Sequence, residues 1–148
     1  MRTRPTILFF SPEACPVPAL VRQWAGTNAF PLLGFSQPEE VEAIILRGHP
    51  CLLFVDGNGS VDRGLDLVRR LKLDAFTAIV PVTVLAADHH AEQVQSWFEA
   101  GADEVVTGIF SPERITVIDH NRSLKIQVND RAPRAASAGR VSGRITLA

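Results

Sequence analysis

Apolar residues along this chain change their spacing repeatedly, and each change marks a change of backbone element. Thr6–Phe10 (TILFF) is a short unbroken apolar run, the pattern of a strand buried on both faces. Val17, Leu20, Val21 and Trp24 then fall at i, i+3, i+4 and i+7, one face of a helix. Ala29–Phe35 returns to a short apolar run, in which Pro31 and Gly34 predict a weak or edge strand. Ser36, Pro38 and the two glutamates that follow form a helix start, with Val41, Ile44 and Ile45 as its buried stripe.

Cys51–Val55 (CLLFV) is the strongest strand signal and runs into Asp56. Gly57, Asn58, Gly59 and Ser60 make the loop after it. Leu65, Val68 and Leu71 line a third helix whose wet side carries Asp62, Asp66, Arg69 and Arg70. Ile79–Ala87 predicts a fourth strand, and Val94, Trp97 and Phe98 mark a fourth helix that stops at Gly101. Glu104–Thr107 is a short fifth strand.

Strands alternating with helices predict an α/β fold with a parallel sheet and helices on both faces. Right-handed crossovers leave few topologies. The expected one is a flavodoxin-like, doubly wound, five-stranded sheet of order 2-1-3-4-5, which puts ligands at the carboxyl ends of the strands. Asp56, at the end of the third strand, falls at that crevice.

The repeat stops after residue 114. Ser111-Pro112-Glu113 resembles a helix start, but Ile115–Ile118 is β-branched and poor in helix, and no apolar stripe at helical spacing follows. A fifth helix therefore lacks support. Ile115 and Val117, then Leu124, Ile126 and Val128, alternate with polar residues around a polar turn, the pattern of a small hairpin. The expected organisation is a domain over residues 1–114, a divergent segment with a hairpin over 115–130, and a basic, disordered tail over 131–148.

Charge sharpens that division. Residues 131–148 hold four arginines and no acid, whereas residues 1–130 carry 11 basic and 16 acidic groups. The tail is thus at +4 and the rest at −5, which argues against a bulk electrostatic nucleic acid binder. At 148 residues and 46% hydrophobic, the chain is long enough for one sizeable core. Cys15 and Cys51 fit no CxxC and no metal spacing, and are read as reduced thiols. No apolar run reaches membrane-spanning length, and MRTRPTILFF is too short in its apolar part for a secretory signal. The expected location is the cytoplasm, without membrane attachment.

Three stretches, in this order and spacing, resemble the receiver domain of bacterial two-component response regulators. LFVDGNGSVDRGLDLVRRLK from Leu53 is similar to the strand ending in the phospho-accepting Asp and the Gly-opened helix after it. PVTVLAAD at Pro81–Asp88 resembles the fourth strand, and AGADEVVTGIF at Ala100–Phe110 the stretch through the fifth strand to a Lys-Pro-Phe loop. The resemblance makes Asp56 the candidate phospho-acceptor and Gly64 the helix-opening glycine. It also implies acids after the first strand to hold Mg2+, a hydroxyl ending the fourth strand, an aromatic switch residue in the fifth and a lysine–proline pair. This chain has Ser11 and Pro12, Ala86, Val105, and Gly108 with Ile109 at those places. Glu13, beside Asp56, is the remaining candidate metal ligand.

Phosphoryl transfer to a carboxylate sets anionic oxygens against another anion, so it needs cations and positioned donors. With most of them missing, the expected function is an atypical, degenerate receiver. It is not expected to be an enzyme, no cofactor is expected other than Mg2+, which Asp56 and Glu13 leave open, and the expected role is a phosphorylation-independent protein interaction module in phosphorelay signalling. The resemblance implies signalling partners, a histidine kinase or an output domain, or a second copy in a homodimer. It places the interaction face on the fourth helix and fifth strand, with Val94, Trp97 and Val105. The alternative is a phospho-accepting single-domain response regulator using Asp56, with Glu13 for metal. No output domain is present, which leaves a stand-alone adaptor or a piece of a longer protein.

Other polar residues have simpler readings. Asp56 itself suits a turn cap before Gly57. His89 and His90 are adjacent and do not share a helix face, so they read as an exposed helix start, and His49 and His120 as turn residues. Gly57–Ser60 lacks the lysine and hydroxyl of a phosphate-cradling loop. No nucleophile–base constellation at useful spacing supports a third reading, an enzyme of other chemistry at the same crevice.

Overall fold

The computed structural model describes residues 4–58, 61–86 and 91–107, and the backbone of residues 115–120, 123–128 and 140–142. Its elements run β1 (Thr6–Phe10), α1 (Ala19–Thr27), β2 (Leu32–Phe35), α2 (Pro38–Ile45), β3 (Cys51–Asp56), α3 (Val61–Leu73), β4 (Val82–Ala86), α4 (Ala91–Ala100) and β5 (Glu104–Thr107). β6 (Ile115–His120), β7 (Ser123–Val128) and β8 (Arg140–Ser142) follow. The first five strands pair in parallel in the order β2-β1-β3-β4-β5, the flavodoxin-like sheet that the alternating pattern predicts.

Each strand is where it is because its side chains have nowhere else to go. β3, β4 and β5 are buried at every position, and β1 at all but its first, as parallel strands covered on both faces must be. Alternate residues divide between two cores. Leu8, Phe10, Leu53, Val55, Val82, Val84 and Val105 meet the apolar stripes of α2, α3 and α4. Ile7, Phe9, Leu52, Phe54, Leu85 and Val106 face the other way, where Val21, Trp24 and Ala25 of α1 cover them. Trp24 stands edge-on to Phe30 and Phe54, with ring centroids 5.5 and 5.6 Å away, the favoured geometry for aromatic quadrupoles.

Trp97 corrects the sequence reading. Expected on an interaction face together with Val94 and Val105, it is only 1% exposed, and the other two are also buried. The cause is Gly64. A Cβ there would lie 2.7 Å from Cη2 of Trp97 and 3.3 Å from Cγ1 of Val55, so the bare backbone of α3 makes the room the indole fills. Phe98, next to it, is partly buried against the same core.

At the opposite end of the sheet from Asp56, Lys72 ties two loops together, α3–β4 and α4–β5. Its Nζ donates to the carbonyls of Ala78 and Val80 at 2.9 and 2.8 Å and to Oδ2 of Asp103 at 2.9 Å. The same Asp103 oxygen accepts the Val82 amide at 2.7 Å. Thr77 closes α3 by donating its hydroxyl to Leu71 O at 2.6 Å. This turn takes Ile79 out of the strand expected to begin there: β4 starts after Pro81, and Ile79 is 80% exposed. Leu73 and Phe76 are 86% and 78% exposed beside it.

Beyond β5, β6 and β7 form an antiparallel pair in register from Ile115↔Val128 to His120↔Ser123, and β7 approaches β3. Within the segment read as a disordered tail, β8 pairs antiparallel with β5 and makes the sheet six-stranded. A strand there is physically reasonable because β5 would otherwise end the sheet with an unpaired edge. His89, His90, Gly108, Ile109 and the segment 111–114 lie outside the described residues.

Gly64→Ala is expected to destabilise the fold by about 1–3 kcal/mol through overpacking, read as a lower urea midpoint with an unchanged slope. The buried Cys51 donates its thiol to His49 O at 3.3 Å, and desolvation raises its pKa above the ordinary thiol value. The folded chain then keeps that proton longer than the unfolded one. Its contribution to stability is intact below the ordinary thiol range and is lost as pH rises through the folded value. Thiol titration of the native chain at mildly alkaline pH should label the exposed Cys15 and spare Cys51 until the chain unfolds.

Candidate functional site

The crevice is built by the carboxyl ends of β1 and β3, which are neighbours in the sheet. Asp56, the last residue of β3, is 8% exposed. A buried carboxylate needs hydrogen-bond donors, and two are supplied. The Ser11 hydroxyl donates to Oδ2 at 2.9 Å, and the Asn58 amide donates to Oδ1 at 3.0 Å. Gly57 between them allows the chain to turn close to β4. A Cβ there would lie 2.8 Å from Cγ1 of Val84 and 3.0 Å from the Leu85 carbonyl, to which the Gly57 amide donates at 2.8 Å.

Ser11 is itself held in place. Its amide donates to Phe35 O at 2.9 Å, continuing the β1–β2 pairing, and its hydroxyl oxygen accepts the Cys15 amide at 3.1 Å. The loop can do this because Ala14 takes a left-handed conformation, φ 57°, while its amide donates to Ser11 O at 3.0 Å. A non-glycine residue there costs about 1–2 kcal/mol, which the two hydrogen bonds of the turn offset. From the other side Arg63, in the first turn of α3, donates Nη1 to Pro12 O at 3.3 Å. Two contacts therefore fasten the β1–α1 loop across the crevice, one to Asp56 and one to Arg63.

This arrangement does not fit a magnesium site. Mg2+ demands near-octahedral oxygen ligands and usually one or two carboxylates. The side chain that meets Asp56 from the end of β1 is Ser11, not an acid, and each Asp56 oxygen already accepts a protein hydrogen bond. Glu13, the other candidate ligand, is exposed, and among the described residues no three His, Cys, Asp or Glu side chains are grouped to hold a metal. Ala86 brings no hydroxyl to the end of β4, and Val105, fully buried, has no aromatic ring to rotate. Sequence reasoning treated Ser11 only as a missing acid. Its role as the donor to Asp56 was invisible because it depends on β1 and β3 being adjacent. Arg63 was missed for the same reason.

With order 2-1-3-4-5 and this crevice, comparison with solved structures is decisive for the fold. CheY4, a chemotaxis response regulator of Vibrio cholerae, matches with a TM-score of 0.60 at 17% identity over 75% of this chain and 92% of that one. The chain has the receiver fold. A response regulator of Desulfuromonas acetoxidans matches this receiver-like chain at TM-score 0.57 and 20% identity, over 74% of this chain and 89% of the other. The co-crystal structure of the Saccharomyces cerevisiae phosphotransfer protein Ypd1 with the receiver domain of its downstream response regulator Ssk1 matches at 0.53 and 13%, over 71% and 79%. In sequence, the chain is 28% identical over 110 residues to the phosphate regulon transcriptional regulatory protein PhoB of Pseudomonas aeruginosa, covering 74% of this chain. The chain spans about half, 48%, of that curated relative's length. No family model matches the sequence.

The Ser11–Asp56 bond makes a definite energetic claim. Removing one partner of a buried hydrogen bond leaves the other desolvated, so Ser11→Ala should cost about 1–3 kcal/mol. A double-mutant cycle of Ser11→Ala with Asp56→Ala, followed by urea unfolding, should show coupling of about 1 kcal/mol or more. Additive effects would mean that the bond contributes nothing in solution.

Proposed function

We propose that this chain is an atypical receiver-like signalling domain of the two-component type that acts as a phosphorylation-independent protein interaction module. The observation that carries this reading is the state of Asp56, whose two carboxylate oxygens are held by Ser11 and Asn58, with no three His, Cys, Asp or Glu side chains among the described residues grouped to hold a metal. A receiver switches when a phosphoryl group draws a hydroxyl and rotates an aromatic side chain, a two-state element that its charge biases. Ala86 and Val105 supply neither part. What remains is a rigid α/β platform, suited to binding rather than to chemistry.

Its partners are signalling proteins, a histidine kinase, a phosphotransfer protein or an output domain. The fold likeness to Ssk1, crystallised with Ypd1, supports that class. Val94, Trp97 and Val105 are core, so contacts made by the α4 face fall to the exposed Glu92, Gln93, Gln95 and Glu99. Leu73, Phe76 and Ile79, at the end of α3 and in the turn after it, are exposed apolar side chains, and grouped exposed apolar residues commonly mark contacts. No described helix is long and apolar enough to cross a membrane.

The alternative, a phospho-acceptor role for Asp56 with Glu13 as metal ligand, draws on the position of Asp56 at the carboxyl end of β3. One experiment separates the two. Beryllofluoride with Mg2+ is expected to leave the amide NMR spectrum of the wild type unchanged around Ser11, Asp56 and Val105–Thr107. Shifts centred on Asp56, absent from Asp56→Asn, would instead establish the phospho-acceptor.

A further inference from the structure

Five strands of the sheet are parallel and the sixth is not. β8 pairs antiparallel with β5 through Glu104↔Ser142, Val105↔Val141 and Val106↔Arg140. Without it β5 would end the sheet, because the parallel order stops there. An uncovered edge presents a row of unpaired amides and carbonyls that templates pairing with another chain, and the middle of β5 is the apolar pair Val105–Val106. Only three residues of β8 cover it, so few ladder bonds hold the cover and local opening is cheap.

The covalent attachment of β8 leaves open which β5 it reaches. Residues 129–139 separate it from β7, a tether whose fully extended length is about 36–40 Å. Charge complements both routes: residues 131–148 carry +4 and residues 1–130 carry −5, so the terminal segment is attracted to the body of its own chain and equally to that of a second copy.

We propose that the outer edge of β5 is a strand-acceptor site shared between copies of this chain. β8 fills it in cis in the monomer, and β8 of a second copy fills it in a strand-exchanged dimer. Exchange reproduces the same register in trans, so it costs little beyond association. Cis closure is intramolecular and exchange is bimolecular, so the dimer grows with concentration, and shortening the 129–139 connection disfavours cis closure relative to exchange. The inference names a partner, a second copy, for the interaction module proposed above, and it does not depend on whether Asp56 accepts phosphate.

The test uses the full chain in sedimentation equilibrium from micromolar to millimolar concentration, with amide exchange followed in parallel. The wild type is expected to show a dimer fraction that rises with concentration, and deletion of residues 132–137 to tighten the dimer at least tenfold. Val141→Pro combined with Ser142→Pro removes an edge-facing amide whichever way the strand alternates. That variant is expected to abolish the dimer and hasten exchange of the outer β5 amides while β1, β3 and β4 stay protected. Asp56→Asn should dimerise as the wild type does, so this inference and the reading of Asp56 fail separately. A wild type monomeric at every concentration, a dimer that survives the double proline change, or a deletion variant that stays monomeric would each overturn the proposal.

Discussion

Burying both faces of a parallel sheet is the constraint from which the rest of this structure follows. β1, β3, β4 and β5 carry apolar side chains up and down in alternation, so each must be roofed by a helix stripe above and another below. That requirement places α2, α3 and α4 on one side and α1 on the other. It also turns Trp97 inward onto Gly64, where a Cβ would meet the indole. At the carboxyl end of β3 a single acid, Asp56, is left to be satisfied.

How that acid is satisfied sets the functional reading. A buried carboxylate can be balanced by a metal, by a cation or by hydrogen-bond donors, and here donors do it: one hydroxyl from the end of β1 and one amide from the turn after β3. The bond from Ser11 spans two adjacent strands and fastens the same loop that Arg63 holds from α3. Asp56 thus sits at the carboxyl end of β3 within a set of hydrogen bonds that join two strands and a loop, and it is on this geometry that the proposed reading rests.

The ends of the molecule obey the same reasoning with fewer residues. At the amino ends of the strands, Lys72 and Asp103 gather the α3–β4 and α4–β5 loops, so that Leu73, Phe76 and Ile79 stay outside as the turn passes over them. At the open side of β5, a short strand from the basic end of the chain completes the ladder. An edge that must be covered outweighs a composition that by itself has little propensity for a strand.

Period alone was enough to read five strands, four helices and their order, because TILFF, CLLFV and the stripes of α1–α4 announce burial locally, within a few residues of one another. Asp56 was legible as the residue of interest for the same reason, as the polar end of an apolar run. Its environment was not. Ser11 and Asp56 are 45 positions apart, Arg63 and Pro12 51, and such pairs exist only once β1 lies beside β3. Trp97 could not be assigned from spacing, since a helix stripe tells which face is apolar and not how deep the opposing backbone allows it to sink. The strand at Arg140–Ser142 carries almost no pattern of its own. The sequence determined the alternation of elements and the acid at the crevice; tertiary structure decided what holds that acid and which edge the chain's end must cover, because both depend on contacts between segments that local pattern cannot connect.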